Sequence, residues 1–177
     1  LFTGAITSTY TYGGTRTGGL IGHADGTTTL TFGDCLSVGR INAEKMVYTG
    51  SAIGATYSGG TYNISDVYVS EETYGGPLGL SSNGTFVGTV VKWQERRLTG
   101  TSAYEWTTLD FKDYWSLVKD GTPVLKCFAE ETVSTDGLAK KFDTSWYNAG
   151  QTTYVLDSVE DFYGFLMVSL SDTFVGK

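Results

Sequence analysis

Hydrophobic and polar residues alternate with a period of two along most of the chain, which is the pattern of half-buried β-strands. In residues 61–70, for example, Tyr62 and Ile64 fall on one face, and Val67 and Val69 fall on the other. Further candidate strands, separated by Gly, Asn and Asp, are residues 28–32, 44–50, 85–93, 104–109, 124–133, 138–147 and 152–157. Many short strands joined by small turns predict an all-β fold, either a β-sandwich or a β-barrel.

One segment has helical spacing instead. After Asp110, apolar residues follow the i, i+3, i+4, i+7 stripe of an amphipathic helix. Asp110 can cap the first amides, and Gly121 suits the left-handed residue that ends a helix. We therefore expect a short α-helix near residues 110–120, with Trp115 and Val118 buried against the sheet.

Residues 158–170 fit two structures. Ser158, Glu160 and Asp161 resemble the start of a helix, whereas Gly164 and the apolar residues after it suit a buried strand. The sequence leaves both interpretations open.

Composition changes the picture of the first half of the chain. Residues 1–90 contain 18 of the 24 glycines but only three of the 12 Lys and Arg residues. This shift suggests a boundary near Gly84, but no Pro-rich or Ser/Gly linker separates the halves. We therefore expect a single β domain over residues 1–177. The Gly/Thr-rich residues 1–26 have few large apolar side chains, and we expect them to form an arm that contacts a neighbouring subunit.

Charge and residue counts exclude several classes of partner. The net charge of −7 and the absence of a basic run argue against nucleic-acid binding. One His and two Cys are too few for a structural zinc site. The longest apolar stretch is far shorter than the roughly 20 residues of a membrane span. We expect no sequence-specific nucleic-acid binding, no membrane span, no metal and no cofactor.

Candidate catalytic residues are few. His23 lies between glycines in a predicted loop, and no nucleophile motif accompanies it. A glycoside hydrolase would instead use two carboxyl groups about 5–9.5 Å apart. The carboxylates available for such a pair are Glu71 or Glu72 with Glu105, Glu130 or Glu131. Solvated strand ends explain these residues equally well, and we expect no catalytic residue and no enzyme.

The remaining polar and aromatic residues leave two points open. Cys35 and Cys127 fit two reduced, buried thiols, with a disulfide as the alternative in an oxidising compartment. Aromatic residues beside Asn, Asp or Glu suit sugar binding in an adhesion protein; they are Tyr62, Trp106, Trp146 and Tyr147.

The order of predicted elements after residue 104 is similar to that of the major tail (tail tube) proteins of long-tailed bacteriophages. It consists of a strand at 104–109, a helix at 110–119 and a Gly-x-Pro-Val strand at 121–126, with further strands behind. The resemblance covers less than half of the chain. It implies subunit rings stacked into a tube, a loop or arm that reaches the next ring, and no catalysis.

Low charge and many aromatic residues are also typical of surface that is buried between subunits. We therefore interpret the chain as a non-enzymatic structural protein that self-assembles into a homo-oligomeric particle, as a phage tail tube or another virion component. Its partners are copies of itself and other virion proteins, and its location is the virion, assembled in the host cytoplasm. The alternatives are an extracellular, carbohydrate-binding adhesion β-sandwich with a glycan partner, and a β-jelly-roll glycoside hydrolase.

Overall fold

The computed structural model describes residues 1–9, 15–26, 29–43, 46–56, 58–74, 76–79, 83–88, 90–148 and 150–169. The chain divides into two compact units, Leu1–Leu98 and Thr99–Lys177. The division falls after Leu98 and not near Gly84, where the composition changes. The expectation of a single β domain over residues 1–177 stays a prediction.

In the first unit the chain winds in successive turns, or coils, and strands of one coil pair in parallel with the equivalent strands of the next. Its strands are β1 (Ala5–Ser8), β2 (Thr17–Gly18), β3 (Ile21–Ala24), β4 (Thr29–Ser37), β5 (Arg40–Ala43), β6 (Thr49–Gly50), β7 (Ile53–Thr56), β8 (Thr61–Ser70), β9 (Thr85–Val87) and β10 (Val90–Trp93). The pairs are β1–β5, β2–β6, β3–β7 and β4–β8, and β8 also pairs with β9 and β10. Each turn of the chain therefore lies on the previous one as a coil of a parallel β-solenoid.

A sequence repeat underlies the first two coils. The pattern Thr-Gly-x-x-Ile-Gly occurs at residues 17–22 and again at 49–54, and these copies pair in register. The third coil keeps a shorter copy, in which Leu78 bridges to Ile53 and Gly79 follows. A Cβ on Gly79 would lie 2.0 Å from the carbonyl oxygen of Gly54. The repeated glycines are required because the stacked backbones leave no space for a side chain.

The longest strands bend at two equivalent aspartates. Asp34 in β4 and Asp66 in β8 have φ angles of 50° and 53°, in the left-handed region that Asp tolerates better than most residues. In the third coil the bend falls at Gly88, with φ of 87°, and it separates β9 from β10. The bend turns the chain so that the residues on both sides of it line the same interior.

The core of the first unit lies inside the coils. Its buried cluster consists of Ala52, Ile53, Ile64, Val67, Val69 and Val90. Most of these residues come from β7 and β8, the strands of the middle coil. The middle coil is buried because it has a neighbouring coil on each side.

In its described residues, the second unit has two helices and one short strand pair. Helix α1 spans Gly100–Trp106, strands β11 (Trp115–Ser116) and β12 (Val124–Leu125) pair antiparallel, and helix α2 spans Val159–Ser169. Short 3₁₀ turns occur in both units, at Met46–Tyr48, Glu95–Arg97 and Lys126–Phe128. Lys140 supports the end of α1, where its ammonium donates hydrogen bonds to the carbonyl oxygens of Tyr104 and Thr107, each at 2.7 Å.

The all-β class with a short helix is confirmed, since the structure is 36% strand and 17% helical. The arrangement of the strands differs from the expected sandwich or barrel. In the part of the chain that the structure describes, the strands stack as coils and no barrel closes. Alternation with a period of two predicts that a segment is a strand. It does not indicate whether the partner of that strand lies in the same coil or in the next one.

The predicted position of the helix, residues 110–120, is wrong. Asp110 does accept hydrogen bonds from the amides of Lys112 and Asp113, at 2.9 and 2.8 Å, but it caps a turn. The chain then enters β11, where Trp115 pairs with Leu125 and is 1% exposed. The burial of Trp115 is thus confirmed, whereas Val118 is only half-buried. Pairing with β12 holds residues 115–116 in an extended conformation, and this tertiary contact overrides the helical spacing.

Other predicted elements have mixed outcomes. The strand at 61–70 coincides with β8, and those at 28–32 and 85–93 correspond to β4 and to β9 with β10. Residues 104–109 were expected to be a strand, but the first three belong to α1. No strand occurs in the described parts of 138–147 or in 152–157.

The open choice at 158–170 is resolved as helix α2, up to Ser169, with Leu170 outside the described residues. The hydroxyl of Ser158 accepts the amide hydrogen bond of Asp161 at 2.9 Å, and the carboxylate of Asp161 accepts that of Ser158 at 3.1 Å. This reciprocal capping box satisfies amides that the helix leaves unpaired at its start.

The expected arm at residues 1–26 is instead largely part of the solenoid. Strands β1, β2 and β3 lie in this stretch and pair with β5, β6 and β7 of the same chain. Residues 10–14, which include Gly13 and Gly14, lie outside the described residues. Small residues in this stretch reflect close coil stacking. Contact with a neighbouring subunit stays a prediction.

Candidate interaction surfaces

His23 lies in strand β3 and not in a loop. It pairs in register with Ala55 of β7 and is half-buried. The β-strand places its side chain on the outside of the coil, where it lines a groove with residues of the neighbouring coils. The sequence assigned His23 no role because no nucleophile motif accompanies it. The residues that share the groove with His23 come close to it only when the chain coils.

The groove crosses all three coils and has a volume of about 330 Å³. The first coil contributes Arg16 and His23, the second Tyr48, Ala55, Thr56 and Ser58, and the third Asn83. The guanidinium of Arg16 lies over the ring of Tyr48, 5.5 Å from its centre. The hydroxyl of Thr56 donates a hydrogen bond to the carbonyl oxygen of Asn83 at 2.5 Å, which ties the second coil to the third. Most of the described lining residues are polar, and none of them is a carboxylate.

A second surface is the open side of the first coil. In β4, Leu30 and Phe32 are half-buried, whereas their partners in β8, Tyr62 and Ile64, are 0% and 6% exposed. Over the described residues, only Phe2 pairs with β4 on the side away from β8, by a bridge to Ser37. Over the described residues, the first coil therefore presents half-buried apolar side chains and a strand edge that only Phe2 covers.

The carboxylates proposed for glycoside hydrolysis are divided between the two units, with Glu71 and Glu72 in the first and Glu105, Glu130 and Glu131 in the second. Glu71 and Glu72 are exposed in the turn after β8. The carboxyl group of Glu72 is hydrogen-bonded to that of Glu95, and this hydrogen bond, with burial and the charge of Glu72, raises the pKa of Glu95. A hydrogen-bonded pair is closer together than the roughly 5–9.5 Å that glycosidases use. Glu95 was not among the sequence candidates. In the second unit, Glu105 lies in α1, whereas Glu130 and Glu131 follow the 3₁₀ turn at Lys126–Phe128.

The aromatic residues suggested for sugar binding are engaged in packing. Tyr62 is fully buried and stacks on Phe86, which excludes it from any surface. Trp106 packs edge-to-face on Tyr163 at 5.0 Å. The side chains of Trp146, Tyr147 and Tyr154 contact one another, with ring centres 5.5–6.0 Å apart. These rings stabilise the second unit.

Both cysteines are free thiols, as expected, but only one is sheltered. Cys35 is half-buried in β4, its thiol donates a hydrogen bond to the carbonyl oxygen of Gly33, and burial raises its pKa. Cys127 was expected to be buried and is exposed. It lies in the 3₁₀ turn that follows β12, where the strand pattern used for the expectation has ended.

Over the described residues, no three or more His, Cys, Asp or Glu side chains come together as a metal site. None of the helices in the described part of the chain has the length and apolar character needed to cross a membrane.

Comparison with known proteins gives no match. No protein-family model, no curated protein and no solved structure is significantly similar to this chain. Its function is therefore inferred from the two surfaces described above.

Proposed function

We propose that this chain is a non-enzymatic structural protein that assembles with copies of itself through the open side of its first coil. The observation that carries the proposal is the exposure of Leu30 and Phe32, which is greater than that of their paired residues in the second coil. Each coil of a solenoid buries its interior against its neighbours, so half-buried apolar residues on one side of a coil suit a further strand stacked against them.

The edge of β4 also lacks the features that prevent strand association. Residues 29–37 contain no Lys, Arg or Pro, and their single charged residue is Asp34 at the bend. Proteins protect exposed edges with such residues, because unpaired N–H and C=O groups recruit another strand. A second copy is the partner we propose, because its strands have the length and spacing of the coil that β4 already pairs with.

The narrower form of the proposal is a phage tail tube or another virion component, with other virion proteins as additional partners. It rests on the resemblance at residues 104–126. The elements there differ from those that suggested it, since α1 ends at Trp106 and residues 115–116 form β11. The assembly proposal itself does not depend on that resemblance.

The test is analytical ultracentrifugation over a concentration series, with negative-stain microscopy of the largest species. Wild-type protein should associate, and Thr29→Lys, which adds a charge to the exposed start of β4, should shift the protein toward monomer. Thr152→Lys adds the same charge at an exposed position of the second unit and should leave association unchanged. A wild-type protein that stays monomeric at high concentration, or equal association of both variants, would contradict the proposal. Rings or tubes would support the narrower form.

A further inference from the structure

The strand that binds to the open side of the first coil can be specified. We propose that residues 29–33 of β4 pair antiparallel with the same residues of a second copy, around a two-fold axis at Thr31. This inference rests on the proposed function, because it takes the open side of the first coil as the contact between copies. It adds which strand of the second copy is bound and that the contact closes as a dimer.

The edge of β4 divides at the bend at Asp34. Beyond the bend, the amide of Phe2 donates a hydrogen bond to the carbonyl oxygen of Leu36 at 2.9 Å, and the carbonyl oxygen of Phe2 accepts one from the amide of Val38 at 2.8 Å. Before the bend, residues 29–33 pair with β8, and no other described strand pairs with them. A second copy can therefore reach the edge of these residues.

A two-fold axis at Thr31 matches this segment to itself. Leu30 of one copy then lies opposite Phe32 of the other, and Thr29 lies opposite Gly33. Residues two apart in a strand share a face, so Leu30 and Phe32 of both copies lie on the interior side. The exposed Thr29 and Thr31 stay on the outer side. The pairing thus continues both the sheet and the apolar interior from one copy into the other.

Charge favours the same axis. A two-fold contact brings each charged residue toward its own copy, and residues 29–33 contain none. The nearest charge is Asp34. An axis at Thr31 separates the two copies of Asp34 by about 20 Å along the strands, whereas an axis at Gly33 would separate them by only about 7 Å. Salt screens charges that are more than about 8–10 Å apart, so the first arrangement avoids the repulsion.

The third coil argues against head-to-tail stacking, in which β4 of one copy would lie on the third coil of the next and the polymer would not close. In that coil β10 is buried, since Val90 and Val91 are each 7% exposed and Trp93 is 8% exposed. The guanidinium of Arg97 also lies over the indole of Trp93, 4.5 Å from its centre. Strand β9 has exposed side chains, but it spans only Thr85–Val87.

Disulfide cross-linking tests the axis. Thr31→Cys and Thr29→Cys are each made with Cys35→Ala and Cys127→Ala, which leaves one thiol per chain. Opposite residues of an antiparallel pair have Cα atoms about 4.5–5.5 Å apart, which a disulfide can span. The two copies of residue 29 would be about 14 Å apart, which it cannot span. Upon mild oxidation, Thr31→Cys should form covalent dimers at least about tenfold faster than its matched control Thr29→Cys.

Hydrogen exchange of the wild-type chain gives a second measurement that needs no variant. Raising the protein concentration should slow the exchange of amides in residues 29–33 and leave β9 unchanged. Slower exchange in both β4 and β9 would indicate head-to-tail stacking and would overturn the two-fold contact.

The outcomes separate this inference from the proposed function. Equal cross-linking of the two variants, in a protein that associates and protects residues 29–33, would overturn the two-fold axis and leave assembly through the first coil in place. A wild-type protein that stays monomeric at high concentration, or that associates without protecting residues 29–33, would overturn both.

Discussion

Replacement of Gly54 by Ala tests the stacking of the coils directly. A Cβ at this position would lie 2.5 Å from the carbonyl oxygen of Gly22 and 2.7 Å from both the amide nitrogen and the carbonyl oxygen of Thr17. These are backbone atoms of the adjacent coil, so no side chain can rotate away. The first coil would have to move, and the pairs β2–β6 and β3–β7 would lengthen.

The magnitude follows from two opposing effects. Overpacking of a buried site typically costs about 1–3 kcal/mol, and a clash with backbone on several sides belongs at the upper end. The lower entropy of the unfolded Ala chain returns about 0.4–1 kcal/mol. We therefore expect Gly54→Ala to reduce the free energy of unfolding by about 2 kcal/mol or more.

Urea unfolding followed by circular dichroism measures this loss, and hydrogen exchange with mass spectrometry should locate the lost protection in β3 and β7. Gly4→Ala is the control, because a Cβ there meets only Phe2, at an ordinary 3.7 Å. A Gly54→Ala protein within about 0.5 kcal/mol of wild type, the usual range for surface changes, would refute the close stacking of coils.

Three further predictions concern the core and two carboxyl groups. Trp115→Ala should cost about 3–5 kcal/mol in urea unfolding because the indole is almost fully buried, and a loss below about 1 kcal/mol would mean that it is exposed. Burial opposes ionisation of Asp161, but hydrogen bonds from Asp157 and Ser158 outweigh it and lower the pKa. The contribution of Asp161 to stability should thus be complete above its ordinary pKa and should be lost as the pH falls through the lowered pKa. In Asp161→Asn, the melting temperature from thermal unfolding should therefore depend less on pH in this range. The pKa of Glu95 is raised, so its effect on stability changes with pH in the opposite direction. The proton that stabilises the folded state is lost as the pH rises above the ordinary carboxyl range. Glu95→Gln, which cannot lose this proton, should therefore be more stable than wild type at neutral pH. A melting temperature of Glu95→Gln that does not exceed that of wild type at neutral pH argues against the carboxyl pair.

Strand alternation and capping residues correctly predicted the elements that depend only on residues close together in the sequence. The strand at 61–70 was predicted with the correct bounds because its alternation continues over most of its length. The capping residues Asp110, Ser158 and Asp161 do form the local hydrogen bonds that their types favour. The helix at 110–120 failed because its apolar stripe also suits a turn followed by a strand, and only β12 decides between them.

The open side of the first coil and the groove depend on contacts that join distant residues. Nothing local in the sequence marks Arg16, Tyr48 and Asn83 as neighbours, since each belongs to a different coil and a full turn of the chain separates one from the next. One signal was available in the repeat Thr-Gly-x-x-Ile-Gly at 17–22 and 49–54. Its two copies predict successive coils in register, and their comparison would have placed His23 beside Ala55.

Composition and short-range pattern were enough to establish the all-β class, the acidic charge and the scarcity of catalytic and metal-binding side chains. These properties depend on composition and on residues within a few positions of one another. The tertiary structure decided that the strands of the first unit stack in parallel coils, which side chains are buried, and which polar groups share a groove. Parallel pairing between coils brings together residues a full coil apart, such as Leu36 and Tyr68, and the alternation of a strand contains no information about its partner.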